Sequence, residues 1–104
     1  MRAVDRTAKL FVASVKDALP DARIQLQRSV AAHGRSNYVY IICDFDPRWG
    51  TRKVRISDHA VGMRRAMSGD ESLFLEAGAR PERWAVWLGE TCRAWERLKS
   101  RPSR

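Results

Sequence analysis

The chain predicts an α+β domain in which a three-stranded antiparallel sheet carries helices packed on one face. Three observations lead there. Residues 3–19 repeat their apolar side chains with the period of a helix. Three runs, at 22–30, 36–45 and 51–57, are alternating or rich in β-branched and aromatic residues, and short turns separate them. A tryptophan-bearing stretch at about 81–99 returns to the helical period. The predicted order is α-β-β-β-α with an added C-terminal helix, in one domain over residues 1–99 and a basic frayed tail over 100–104.

Taken in order, Val4, Ala8, Phe11, Val12, Val15 and Leu19 form one face of the first helix, and Pro20 stops it,. In the run 22–30, Ile24, Leu26 and Val30 alternate with Arg23, Gln25, Gln27 and Ser29, as in a half-buried strand,. His33-Gly34-Arg35 reads as a turn. The run 36–45, SNYVYIICDF, is the strongest strand, and DPRWG at 46–50 turns it into TRKVRIS at 51–57,. A short helix at about 59–67 ends at Ser68-Gly69. The stretch DESLFLEAGA reads either as a helical turn or as an extended connector. Pro81 opens the last helix, with Trp84, Trp87, Leu88, Thr91, Trp95 and Leu98 along one face,.

The 104 residues carry 20 Lys and Arg against 12 Asp and Glu, a net charge of +8. A compact domain of that charge is attracted to phosphate polymers and anionic surfaces. The excess concentrates in residues 21–58, at +3, and 80–104, at +4. Cys43 and Cys92 have no CxxC neighbour and read as free thiols of a reducing cytosol,. The start lacks the core of a signal peptide, and no stretch has the length of a membrane span, so the expectation is a cytoplasmic protein without a membrane partner.

Strand alternation divides the sheet into two faces. Val39, Ile41, Cys43 and Phe45, with Val54, Ile56, Ile24 and Leu26, are expected beneath the helices. The opposite face is expected to show Arg23, Gln25, Gln27, Tyr38, Tyr40, Ile42, Lys53, Arg55 and Ser57. Tyrosines flanked by cations on an open sheet suit nucleic acid, because rings stack on bases and cations neutralise phosphate. The candidate nucleic-acid residues, for DNA or RNA, are therefore Tyr38, Tyr40, Lys53 and Arg55, with Arg35 and Arg48 at the rim. Trp49, at the hairpin tip, and Trp84, Trp87 and Trp95 are the candidate anchors for a protein partner or a homodimer, although the helical stripe reads first as core and the Trp49 ring could equally pack back on the sheet.

Ser57-Asp58-His59 is the one grouping with the residue types of nucleophilic catalysis. Adjacent strand residues diverge, and no nucleophile elbow surrounds Ser57, so the trio reads as a helix cap at a corner. No catalytic residue, metal site or cofactor is assigned. A metal-independent ribonuclease around His59, Ser57 and Arg55 stands as the least favoured of three readings.

The order of elements is similar to double-stranded-RNA-binding domains and to the small mRNA-cleaving toxins built on that fold. Those toxins place a His on the second strand, where this chain has Ser36-Asn37-Tyr38. Residues 36–59, from Ser-Asn-Tyr-Val to Arg-Ile-Ser-Asp-His, resemble a hairpin of small phage, prophage and mobile-element proteins, in which S-x-Y-[VI] precedes R-[IV]-S-D-H. The resemblance implies a mobile-element context and carries over no catalytic role; small single-domain proteins of that kind often bind nucleic acid, the first reading here, as a non-enzymatic protein. The alternative it implies is an inhibitor of a host defence complex such as CRISPR.

Overall fold

The computed structural model describes residues 2–28, 38–46, 50–58 and 71–100, with the backbone alone at 45, 46 and 71. Outside these residues lie the expected turn at 33–35, the tip of the hairpin with Arg48 and Trp49, the expected helix at 59–67 with His59, and the tail after residue 100.

Helix α1 runs Ala3–Ala18 and buries Val4, Thr7, Ala8, Phe11 and Val15, which recur at intervals of three and four residues,. Asp5 in its first turn and Lys16 in its last complement the helix dipole,. Strand β1 (Arg23–Arg28) pairs antiparallel with β2 (Tyr38–Asp46), and β2 pairs antiparallel with β3 (Gly50–Ser57). The register puts Ile24 opposite Cys43, Leu26 opposite Ile41, Val39 opposite Ile56 and Ile41 opposite Val54. The expected hydrophobic set therefore shares one face, except Phe45, whose side chain lies outside the described residues.

The sheet has a fourth strand that sequence reasoning left open between helix and connector. Strand β4 (Glu71–Glu76) lies parallel to β3, with Val54 opposite Leu73 and Ile56 opposite Leu75. The sheet is thus four-stranded and mixed, in the order β1-β2-β3-β4, not three-stranded and antiparallel. Leu75 is as buried as the central strands, because it continues their apolar row.

After β4 the chain turns at Gly78, whose φ of +89° is a left-handed conformation that a side chain would strain,. The Gly78 N–H donates to Thr7 Oγ1 at 2.7 Å, and Thr7 Oγ1–H donates to the Ala3 carbonyl at 3.0 Å, so the turn is fixed to α1. A single 3₁₀ turn (Pro81–Arg83) leads into α2 (Ala85–Lys99). The tryptophan stripe is core: Trp84 and Trp95 join α1, β2, β3 and Leu75 in one cluster, with Trp87, Leu88 and Leu98 packed against it. The Phe11 ring meets Trp84 edge-on and Trp87 at a tilt, both at 5.4 Å between centroids. Both described helices thus lie on one side of the sheet, and α2 does not cover the opposite face.

Burial of Cys43 in this core pushes its thiol up to about 11,. Among the described residues, no helix is long and apolar enough to cross a membrane.

Phe11→Ala removes the ring that both tryptophans contact and should cost about 3–5 kcal/mol. Against a total of about 5–15 kcal/mol for a domain of this kind, urea titration should find a large share of the stability gone. Asp5 gives a second expectation. The hydrogen bond from Arg2, 2.9 Å away, holds its carboxyl below the usual range, and Arg28 at 3.2 Å adds to this. Because the folded pKa is the lower one, the stabilisation is complete above the unfolded value near about 4 and is lost as pH falls through the folded value. The melting-temperature gap between wild type and Asp5→Asn should be widest near neutrality and close below about pH 4.

Candidate nucleic-acid interface

On the face away from the helices, alternation in β2 and β3 aligns four side chains into a ladder. Tyr40 lies directly opposite Arg55, and Tyr38 lies opposite Ser57. Cross-strand neighbours on one face sit close enough for long side chains to interact diagonally as well as directly. The Arg55 guanidinium stands 4.5 Å from the Tyr38 ring centroid and 5.5 Å from that of Tyr40. Its Nη1 donates to the Tyr40 hydroxyl at 3.2 Å. Lys53 Nζ lies 4.4 Å over the other end of the row, on the Tyr40 ring. The two tyrosines meet edge-on at 5.4 Å. Cations thus alternate with aromatic rings in the sequence Lys53, Tyr40, Arg55, Tyr38.

This ladder is not the open platform that alternation suggested. Arg55 is only 4% exposed and Ser57 is fully buried, whereas Tyr38, Tyr40 and Lys53 are half-buried. Arg55 therefore cannot present its charge to a phosphate. It organises the two rings from within. The face is closed at the Ser57 end and open at the other. There, Arg23 and Gln25 of β1 and Thr51 of β3 are exposed, and Gln27, level with Tyr40, is exposed along the same strand. Arg23, Ile24, Gln25, Ile42, Asp44 and Thr51 line a shallow depression of about 340 Å³ at this open end. An exposed ion pair at 3.2 Å ties Arg23 to Asp44 and fixes its rim.

Of the expected nucleic-acid residues, the structure brings together Tyr38, Tyr40, Lys53 and Arg55; Arg35 and Arg48 lie outside the described residues. Of the expected partner anchors, Trp84 and Trp95 are buried in the core and cannot dock a partner, Trp87 is half-buried, and Trp49 lies outside the described residues. Ser57, the last residue of β3, is fully buried, while Asp58 just past the strand end is exposed. Sequence reasoning missed Phe74, which pairs with Arg55 from β4 and adds a third aromatic residue to this face. Its signal was parity alone: once 71–76 is a strand, Phe74 falls on the face opposite Leu73 and Leu75,.

The charge divides unevenly as well. The described residues carry 14 Lys and Arg against 11 Asp and Glu, a net +3, so the other +5 of the total +8 resides on residues 29–37, 47–49, 59–70 and 101–104. No protein-family model matches the chain, and no curated protein or solved structure matches it significantly.

Arg55→Ala should behave as a core mutation. Loss of a charged hydrogen bond and of desolvated contact with two rings should cost about 2–4 kcal/mol. Thermal unfolding monitored by circular dichroism should show it, whereas an unchanged melting temperature would return Arg55 to the surface.

Proposed function

We propose that this chain is a non-enzymatic, basic nucleic-acid-binding domain of the mobile-element type. Its contact surface is the open end of the sheet face, where Lys53 and Tyr40 are displayed beside Arg23, Gln25 and Gln27. The observation that carries this reading is the pairing of Lys53 with Tyr40. The ring is held from behind by Arg55 and faces a lysine cation, so an aromatic surface and a phosphate-binding charge occupy one place. Because the ladder cations already engage both tyrosine rings, the binding mode is chiefly to the phosphate backbone, with Tyr40 as the point where a base can stack. The net charge of +8 supplies long-range attraction,. The mobile-element context is supported by the resemblance carried by residues 36–59.

The test is fluorescence anisotropy with labelled single- and double-stranded DNA and RNA at two salt concentrations. Binding should weaken steeply with salt. Lys53→Ala should lower affinity roughly fivefold and reduce the salt slope by about one, with the melting temperature unchanged. Tyr40→Ala should discriminate single strands from duplexes, losing more affinity for the former. Absence of binding at low salt would overturn the reading, make the charge a solubility property, and direct attention to a protein partner.

A further inference from the structure

Strand β1 forms one edge of the sheet, and among the described residues no strand pairs with its outer side. Edge strands ordinarily avoid self-pairing through proline, a bulge, a central lysine or an overlying loop. The sequence Arg-Ile-Gln-Leu-Gln-Arg contains no proline, no glycine and no lysine, and its pairing with β2 runs without a register shift. Every residue of β1 except Ile24 is exposed, and Leu26 is 47% exposed on the helix side of the sheet. Each of its terminal charges meets a carboxylate, Arg23 on Asp44 and Arg28 on Asp5, which Arg2 shares. The strand ends therefore carry much of their charge compensated in a strongly basic molecule.

We infer that β1 is a homodimer interface, in which two copies pair antiparallel through this edge into a continuous eight-stranded sheet. The strand's own pattern selects the occupant and the register. Residues opposed across an antiparallel pair lie on the same face. A twofold axis normal to the sheet must therefore pass through a residue, not between two residues. With the axis at Gln25, Ile24 opposes Leu26 of the second copy on the helix side, while Gln25 meets Gln25 and Arg23 meets Gln27 on the other. With the axis at Leu26, each Ile24 would oppose an Arg28. The first register matches apolar to apolar and polar to polar, and it covers Leu26. The interface is distinct from the tryptophan stripe, which the core already consumes, and it stands independently of nucleic-acid binding.

The test combines sedimentation velocity over a wide concentration range with site-directed crosslinking. The wild type should show a concentration-dependent dimer, weakened at least about tenfold by Leu26→Lys with an unchanged circular dichroism spectrum. In a Cys92→Ser background, Gln25→Cys should form an intermolecular disulfide under mild oxidation. Across the axis, its Cα atoms should lie about 4.5–5.5 Å apart, within disulfide reach. Gln27→Cys should not crosslink, because its counterpart is displaced by four positions. Buried Cys43 is out of reach of either reaction. A protein that stays monomeric up to several hundred micromolar, a dimer indifferent to Leu26→Lys, or crosslinking of Gln27→Cys as readily as Gln25→Cys would each overturn the inference. Should Leu26→Lys fail to fold, the crosslinking pair still decides it.

Discussion

Contact between one phenylalanine and two tryptophans holds the two halves of this domain together. Phe11 sits where α1 lies over β2 and β3, and its ring is the meeting point with Trp84 and Trp87. From there the dependence runs outward to the sheet edge. Trp87 Nε1–H donates to Ser72 Oγ at 3.0 Å, and the Ser72 hydroxyl donates to the Lys53 carbonyl at 3.3 Å. One serine thus links α2, β4 and β3. A parallel edge strand of six residues has little stability of its own, and β4 gains its place from this link and from the burial of Leu75 under the helices. The fixing of the Gly78 turn to Thr7 completes the circuit by setting where α2 begins.

The opposite face follows from what the core leaves over. With both described helices on one side, Tyr38, Tyr40, Lys53 and Arg55 pack against one another on the other, with Phe74 opposite Arg55. Arginine suits the buried position because its planar guanidinium is weakly hydrated and lies well against aromatic faces. Lysine, with a compact and strongly hydrated charge, suits the half-exposed end of the row. The order of cations along β3 therefore matches the gradient of burial from Gly50, at the open end, to Ser57, at the closed end. A face built this way shows only part of its charge, and that part is at the Lys53 end.

Periodicity made the sides of each element legible, and it did so well. Val39, Ile41 and Cys43 of β2 share a buried row with Val54 and Ile56 of β3, as alternation requires, and the tryptophan stripe falls on one face of α2. Depth was not legible in the same pattern. Alternation assigns Arg55 to the face away from the helices, but it cannot tell whether that face is wet, and Arg55 is buried there. It assigns Leu26 to the helix side, yet Leu26 is half-exposed because α1 lies chiefly over the two central strands. Strand β4 escaped for a different reason. Its apolar signal, Leu73 to Leu75, is too short to separate strand from helix by period alone, and parallel pairing leaves no tight-turn signature.

The open end of the sheet face and the bare edge of β1 adjoin, since Arg23, Gln25 and Gln27 belong to both. Pairing at that edge would set two copies of the open face side by side about Gln25 and double the surface available to a polyanion. Salt acts on the two processes with opposite signs. Phosphate binding releases counterions and weakens as salt rises. Approach of two molecules of charge +8 is opposed by repulsion that is screened beyond about 8 Å at physiological ionic strength,, so strand pairing at contact distance strengthens under the same change. A polyanion bound across both faces would remove that repulsion at low salt. Dimer formation and nucleic-acid binding would then favour each other most where either process alone is held back by unscreened charge, and the coupling would be reciprocal because each would lower the free energy of the other by the same amount.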